Sequence, residues 1–382
     1  MNETSPQSAY IHIPFCHHIC HYCDFNKFFL KGQPVDEYLD ALDREMMLTF
    51  ERVPAGEMRT IFVGGGTPTA LSEGQLEKLG ESIKNRFRFG NDVEFTFEGN
   101  PGDLSPEKLA VLKSLGVNRL SLGVQSFNDQ LLERIGRSHR AKDVYETVEN
   151  AKNAGFENIS LDLIYALPGQ TLHDFKETLK TALSLDLPHF SGYSLIVEPK
   201  TVFYNLMRKG QLPLPGEDTE AAMYEVLMDE MLKHGLHQYE ISNFAKKGYE
   251  SKHNLTYWKN DEYYGFGAGA HSYVAGIRKS NIGPLNKYLT KVSGGELPVL
   301  EENKVTREEA MEEEMFLGLR TNGGVRKDVF KRKFAVEMDQ VFPSQIEKLS
   351  KNGLIEKSSD RICLTRKGRL LGNEVFQMFL LK

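Results

Sequence analysis

The feature that most constrains the fold is a regular alternation of short β-prone runs with helical runs. Six runs rich in β-branched, aromatic or leucine residues are each separated from the next by a helical segment. Such alternation is typical of βαβ units, which build a parallel sheet. The predicted strands are residues 10–13, 60–63, 93–97, 119–123, 159–164 and 190–195. The pattern therefore predicts an α/β protein built on a partial, TIM-like parallel (β/α)6 barrel.

Polar residues follow these strands at the ends where a parallel barrel places its chemistry. The first predicted strand leads into a cysteine-rich loop, and the others end at Gly64-Gly65-Gly66-Thr67-Pro68, Glu98, Gln125, Asp162 and the region of Glu198. Taken singly, a carboxylate or amide here is usually a cap or a surface residue, and a glycine run can be only a tight turn. Together they predict a binding site, in which glycines let backbone amides approach a ligand.

Three of the four cysteines, Cys16, Cys20 and Cys23, lie within eight positions of one another. Three thiolates on one short loop can hold three irons of a cubane cluster and leave the fourth iron open to a cofactor. Zinc is the alternative, although structural zinc ligands are usually grouped as separated C-x2-C pairs. The histidines that can complete a Cys3His zinc site are His12, His17, His18 and His21.

Composition places the chain among soluble globular proteins. Of its 382 residues, 40% are hydrophobic and 26% charged, and the net charge of −6 argues against a general nucleic-acid-binding surface. No apolar run approaches the roughly 18 residues of a membrane span, and the N-terminus lacks the basic and apolar parts of a signal peptide. Clustered cysteines also fit a reducing compartment. We therefore expect a cytoplasmic protein without an integral membrane segment, with peripheral membrane contact left open.

The second half of the chain predicts an appended unit. Residues 198–216 are rich in proline and glycine and suggest a linker or lid, and residues 243–283 are aromatic and glycine-rich without clear periodicity. Beyond residue 301, helices and a predicted hairpin follow in the order of a winged helix, whose usual DNA partner the acidic net charge disfavours. The predicted divisions are a barrel at 1–235, a connecting segment at 236–300 and a smaller, mainly helical, winged-helix-like domain at 301–382.

The C-x3-C-x2-C spacing after Tyr10-Ile11-His12-Ile13-Pro14-Phe15, together with the GGGTP run, resembles the radical S-adenosylmethionine (SAM) superfamily. Within it the chain is most similar to the HemN/HemW group, and among these to the HemW haem chaperones. The similarity runs over nearly the whole chain and continues through the segments at 98–101, 123–127 and 162–168, Arg137 and the C-terminal domain.

This resemblance implies a [4Fe-4S] cluster on the three clustered cysteines, with the amino and carboxylate groups of SAM on the fourth iron. An electron from the reduced cluster can then cleave SAM to methionine and a 5′-deoxyadenosyl radical. The family pattern assigns the cluster-bound SAM to Tyr10, Gly65 and Glu98. Positions that surround a second SAM in the HemN branch match Gly66, Thr67, Gln125, Arg137 and Asp162.

Two features separate the branches of the group. The oxidase branch, oxygen-independent coproporphyrinogen III oxidase, carries a further cysteine two positions after the third cluster cysteine, where this chain has Phe25. The run His253-Asn254-Leu255-Thr256-Tyr257-Trp258 resembles the H-N-x-x-Y-W motif of HemW, whose histidine is implicated in haem binding. A neutral imidazole is a common haem ligand, and aromatic rings offer a porphyrin flat apolar surface. A lone histidine beside aromatics is otherwise usually a core or loop residue.

The resulting hypothesis is a haem chaperone that takes haem as cargo, passes it to acceptor proteins and needs an electron donor for its cluster. A porphyrinogen-decarboxylating radical SAM oxidase is the first alternative, and a zinc-stabilised binding module is the second. No catalytic residue is predicted.

Overall fold

The structure, a computed structural model, describes residues 5–381. Its strands are β1 (Ser8–Ile13), β2 (Phe15–Cys16), β3 (Phe28–Phe29), β4 (Glu57–Gly65), β5 (Arg88–Gly99), β6 (Arg119–Gln125), β7 (Asn158–Tyr165), β8 (His189–Ser194), β9 (His237–Glu240), β10 (Asn243–Ala245), β11 (Tyr264–Phe266), β12 (His271–Val274), β13 (Ile277–Asn281), β14 (Val299–Lys304), β15 (Val325–Arg326), β16 (Ile355–Lys357) and β17 (Arg361–Leu364).

The α-helices are α1 (Val35–Arg52), α2 (Glu73–Arg86), α3 (Pro106–Ser114), α4 (Asp129–Arg134), α5 (Ala141–Asn153), α6 (Leu172–Leu183), α7 (Val202–Arg208), α8 (Glu217–Lys233), α9 (Lys252–Trp258), α10 (Leu285–Ser293), α11 (Arg307–Gly318), α12 (Lys327–Phe334), α13 (Met338–Val341), α14 (Pro343–Lys351), α15 (Arg366–Leu370) and α16 (Gly372–Gln377), with a short 3₁₀ helix at Pro68–Ala70.

A nine-stranded sheet forms the barrel, in the order β11-β1-β4-β5-β6-β7-β8-β10-β9. Strands β1 and β4 to β8 pair in parallel, as the sequence predicts, and β11 adds a further parallel strand beside β1. Strands β10 and β9 continue the opposite edge in antiparallel fashion. The partial parallel barrel is therefore confirmed, and the connecting segment 236–300 lengthens its sheet at both edges.

Alternation along the strands separates an apolar outside from a polar lumen. In β4, Ile61 and Val63 are fully buried and belong to the main core with Leu39 and Leu42 of α1. This core lies between the sheet and its outer helices, as in other barrels whose strands are covered on one face by helices. The intervening positions point into the barrel, where they supply the polar side chains described below.

The C-terminal unit has a core of its own and the predicted winged-helix order. Helices α11 to α14 surround a three-stranded antiparallel sheet ordered β15-β17-β16. Met315, Phe330, Phe342 and Ile362 are fully buried or nearly so within this second core. The exact divisions at residues 235 and 300 stay predictions. No helix in residues 5–381 is both long and apolar enough to span a membrane.

A buried carboxyl on α1 joins the barrel to the segment after β11. Glu45 is 2% exposed and accepts hydrogen bonds from the Gly267 amide at 2.8 Å, Asn281 Nδ2 at 2.6 Å and the Tyr288 hydroxyl at 2.6 Å. Gly267 has a φ of +100°, and a Cβ there would lie 2.5 Å from the Tyr38 hydroxyl. Burial raises the pKa of Glu45 to about 7, although its three hydrogen bonds favour the ionised form.

Glu45→Gln should remove a pH-dependent part of the stability. The folded pKa of about 7 lies above the ordinary value of 4.5, so the carboxyl's stabilising contribution is full below pH 4.5 and is lost as the pH rises through 7. A shift of this size corresponds to a loss on the order of 3 kcal/mol. Denaturant unfolding across this pH range should therefore show the wild type losing stability relative to the variant. Glu51→Gln, an exposed change on the same helix, is the control, and equal pH profiles for all three proteins would contradict the expectation.

Candidate functional site

The cysteine loop leaves β1 at the C-terminal mouth of the barrel and is closed by a small parallel pair of strands. Phe15 and Cys16 in β2 pair with β3, and the Leu30 amide donates to the Cys16 carbonyl at 2.9 Å. Cys16 is buried and Cys20 and Cys23 are half-buried, all as free thiols. The backbone thus anchors Cys16 at the mouth, and within the same loop the Cys23 amide donates to the Cys20 carbonyl at 3.3 Å.

A cubane cluster and a single zinc ion need differently spaced ligands. Within residues 5–381, no three His, Cys, Asp or Glu side chains are grouped closely enough to hold one metal ion. Each thiolate of a cubane binds a different iron, so its ligands stand further apart than those of tetrahedral zinc. Two of the candidate zinc histidines also have other partners: His12 bonds the Tyr10 hydroxyl and the Asn26 carbonyl, and His21 bonds the Arg134 carbonyl.

Side-chain donors face two of the thiols. The Thr67 hydroxyl donates to Cys16 Sγ at 3.5 Å, and Arg137 Nη1 donates to Cys20 Sγ at 3.5 Å. Burial raises the pKa of Cys16, and it raises the pKa of Cys23 to about 11. These two thiols are therefore protonated at neutral pH, and iron binding must release their protons.

The glycine run lets the end of β4 lie against the cysteine loop. A Cβ on Gly64 would lie 2.7 Å from Glu98 Oε2, one on Gly65 2.4 Å from the His12 ring, and one on Gly66 2.9 Å from backbone atoms of Ile13 and Phe15. The Gly65 amide donates to Glu98 at 3.0 Å and the Gly66 amide to the Ile13 carbonyl at 2.9 Å. The run therefore has a packing role in addition to the SAM contacts that remain predicted for it.

Two carboxyls project into the lumen below the cysteine loop. Glu98 and Asp162 are surrounded by protein but keep some solvent exposure, and no salt bridge within residues 5–381 involves either. Burial, and next the charge of Asp162, raise the pKa of Glu98 to about 7. Burial also raises the pKa of Asp162 although Ser191 and Ser121 donate to it. A cationic group in the lumen would favour both ionised forms.

Arg137, Gln125 and Tyr10 complete this end of the barrel. Arg137 Nη2 donates to the Gly123 carbonyl of β6 and to Asn100 Oδ1 just beyond β5. Gln125 ends β6 with a φ of +66°, an unusual value for a residue other than glycine. Tyr10 lies one step further into the lumen, where burial and then Glu98 raise its pKa. Asn100 was not among the predicted site residues. Its one signal in the sequence is its position beside Glu98 at the end of a strand.

His253 lies at the opposite end of the barrel. Its Nδ1 bonds Thr60 Oγ1 at 2.8 Å and its Nε2 bonds the Tyr257 hydroxyl at 2.7 Å, while its amide donates to Glu94 at 3.0 Å. Thr60 and Gly65 are five residues apart on β4, which puts this base roughly 16 Å from the mouth. Burial, and next the charge of Arg119, lower the pKa of His253 to about 3, so the ring is neutral. The structure thus brings the predicted cluster and SAM residues together and keeps His253 apart from them.

Comparison with known proteins accounts for both parts of the chain. Residues 10–182 match the family model of the radical SAM superfamily, and residues 305–371 match that of the HemN C-terminal domain. The heme chaperone HemW of Bacillus subtilis is 57% identical over 375 residues, covering 98% of this chain and 99% of the relative. The heme chaperone HemW of Lactococcus lactis is 50% identical, covering 98% of each chain.

Among solved structures, the coproporphyrinogen III oxidase HemN from Escherichia coli, described as a radical SAM enzyme, superposes with a TM-score of 0.85. Its sequence identity is 25%, and the match covers 98% of this chain and 90% of that one. The mouth geometry, the two domain matches and the near full-length relatives agree, and the chain belongs to the HemW family of the radical SAM superfamily.

Proposed function

We propose that the protein is a haem chaperone that binds haem and passes it to acceptor proteins, and that it carries a SAM-ligated [4Fe-4S] cluster. The observation that carries the proposal is the 57% identity, over 98% of the chain, to a relative named heme chaperone HemW. Phe25 adds to it, because the position where the oxidase branch has another cysteine is here an apolar side chain, 63% exposed. The partners required are haem, haem-accepting proteins and an electron donor.

The mouth of the barrel suits the cluster and SAM. Cys16, Cys20 and Cys23 would each ligate one iron, and Tyr10, Gly65 and Glu98 would face the SAM on the fourth. Gly66, Thr67, Gln125, Arg137 and Asp162 would surround a second SAM if this branch takes one. When reduced, the cluster supplies an electron to bound SAM; the chain's own contribution is to orient the ligands and limit water access.

Replacing Cys16, Cys20 or Cys23 singly with Ala should abolish the brown absorbance that anaerobic reconstitution with iron and sulfide gives, because each thiolate holds a different iron. Cys363→Ala is the matched control, since this thiol lies in the C-terminal domain beside Gly323, and it should keep wild-type iron and sulfide content. Zinc in place of iron after anaerobic purification would contradict the cluster assignment and support the zinc-stabilised module.

We expect the affinity for SAM to depend on pH, because Glu98 is a lumen carboxyl at the predicted SAM site. The pKa of Glu98 is about 7, and the iron-ligating amino group of SAM would donate its N–H hydrogen bonds more strongly to the ionised carboxylate than to the neutral acid. SAM affinity of the reconstituted protein should therefore rise as the pH passes from about 6 to 8, by up to about tenfold per pH unit below the pKa. Calorimetric titration at several pH values measures this.

Two variants identify the titrating group. Glu98→Gln should bind SAM more weakly and keep only the pH dependence of the ligand itself, so the difference between the two profiles isolates Glu98. Asp162→Asn should move the rise to lower pH, because the Asp162 charge raises the pKa of Glu98. A Glu98→Gln profile parallel to that of the wild type would argue against the predicted contact.

A groove beside α9 provides a surface suited to part of a porphyrin. It encloses about 320 Å³, near the small end of ligand pockets, and its apolar walls are Tyr257, Trp258, Tyr263, Phe316 and Leu317. Arg278, which also lines it, is paired with Glu313 at 2.7 Å. The flat rings match the apolar plane of haem, whereas the charge of Arg278 is already neutralised by Glu313.

His253 lies behind this groove with both ring nitrogens hydrogen-bonded. Tyr257 both lines the groove and bonds His253 Nε2 at 2.7 Å, so haem iron reaches the imidazole only after the Tyr257 hydroxyl has moved. The neutral ring is otherwise the form that ligates iron. Haem ligation by His253 therefore requires the Tyr257 side chain to move away from the imidazole.

Haem titration followed by the Soret band tests this arrangement. His253→Ala should weaken haem binding and change the band, because the proposed axial ligand is lost. Tyr257→Phe should bind haem faster or more tightly, since no hydroxyl competes for Nε2. His271→Ala, which removes an exposed histidine at the start of β12, should behave as the wild type, with thermal unfolding used to check each fold. Unchanged affinity and spectrum in His253→Ala would place the ligand elsewhere.

A further inference from the structure

One amide side chain connects the donors of two cluster cysteines. Asn100 Nδ2 donates to Thr67 Oγ1 at 3.0 Å, and Asn100 Oδ1 accepts from Arg137 Nη2 at 2.5 Å. The Thr67 hydroxyl and Arg137 Nη1 in turn donate to Cys16 Sγ and Cys20 Sγ, each at 3.5 Å. The contacts form a continuous arch from one thiol to the other, drawn from loops beyond β4, β5 and α4.

The direction of each hydrogen bond in the arch, from donor to acceptor, depends on an amide at its centre. Since Asn100 donates to the Thr67 oxygen, the single hydroxyl proton of Thr67 is left to point at Cys16. Since Asn100 and the Gly123 carbonyl both accept from Nη2 of Arg137, Nη1 is left to face Cys20. Only a side chain with both a donor and an acceptor can set both directions. Within the described part of the chain, Asn100 makes one other side-chain hydrogen bond, a long one of 3.4 Å to Asp103.

We propose that Asn100 is a positioning residue for the iron–sulfur cluster, which orients the Thr67 and Arg137 donors toward the ligating sulfurs. This inference rests on the proposed cluster. Hydrogen bonds and positive charge at cluster sulfurs stabilise the reduced state, which carries one more negative charge, and so raise the reduction potential. Asn100 acts through its two neighbours and touches no thiol itself.

Asn100→Asp should disrupt the Thr67 half of the arch and keep the Arg137 half. The carboxylate still accepts from Arg137 but cannot donate to Thr67, so the Thr67 hydroxyl turns toward it and Cys16 loses its donor. Asn100→Ala removes both of the hydrogen bonds that orient the Thr67 hydroxyl and the Arg137 guanidinium. Asn91→Asp is the matched control, because it makes the same substitution at an exposed position of the same strand, β5.

Redox titration of the reconstituted clusters, followed by electron paramagnetic resonance, is the test. We expect the potentials of Asn100→Asp, Asn100→Ala and Thr67→Val to shift to more negative values and that of Asn91→Asp to stay at the wild-type value. Thr67→Val should also leave a smaller further shift for Asn100→Ala to add, because both remove the hydrogen bond to Cys16, whereas Asn100→Asp also brings a negative charge near the cluster. If Asn100→Asp assembles no cluster, the reduction potentials of Thr67→Val and Asn100→Ala provide the test of the proposal.

The outcomes distinguish this inference from the proposed function. Clusters of wild-type content and potential in Asn100→Ala and Thr67→Val would overturn the role of Asn100 while leaving the proposed function intact. Reduced cluster content with an unchanged potential would overturn it as well, since the residue would then serve only assembly. Failure of the wild type to bind iron and sulfide at all would overturn the proposed function itself.

Discussion

Parallel pairing of the central strands is the constraint on which the rest of the structure depends. Because of this register, the C-terminal ends of the central strands lie at the same end of the barrel. These strands are β1, β4, β5, β6, β7 and β8. Residues as distant in sequence as Cys16 and Asp162 therefore meet at one mouth, whereas an antiparallel arrangement would divide them between two ends. The close approach of β4 to the cysteine loop follows from the same register. Ile13 pairs directly with Gly65, and the His12 ring leaves no space for a Cβ on that glycine.

The two ends of the lumen are different environments joined by an aromatic stack. At the mouth, Glu98 and Asp162 keep solvent exposure and raised pKa values; at the base, His253 is 1% exposed and neutral. Between them Tyr10 stacks on Phe62, with ring centroids 6.2 Å apart, and Phe62 stacks on His253 at 5.1 Å. A displacement of His253 or its Tyr257 partner therefore disturbs packing that reaches the predicted SAM contact at Tyr10.

The sequence was sufficient for features set by local pattern and insufficient for those set by distant contacts. The six central strands and the helical segments between them were predicted from their alternation along the chain, and the cysteine loop from its spacing. Strand β11 has only three residues in a glycine-rich segment and exists because it pairs with β1. The burial of His253 depends on Thr60, 193 positions away, and the contacts of Asn100 depend on Thr67 and Arg137. No periodicity in a single chain reports such pairings.

The C-terminal domain shows why a winged-helix order alone does not identify a nucleic-acid-binding surface. Its basic residues largely face acidic neighbours: Asp339 pairs with both Lys327 and Lys357, and Asp360 pairs with Arg361. Although exposed pairs of this kind contribute little stability, they neutralise the positive charge that phosphate binding needs.

The same domain instead closes the base of the barrel. The Ile241 amide donates to the Arg320 carbonyl at 3.0 Å, and Arg366 pairs with Asp229 of α8 at 2.7 Å. The Arg320 guanidinium lies over the Trp258 ring at 4.6 Å. Helix α11 supplies one wall of the groove beside α9, so any opening of α9 that exposes His253 must also change the packing between the two domains. The packing around His253 and the position of the C-terminal domain are therefore coupled.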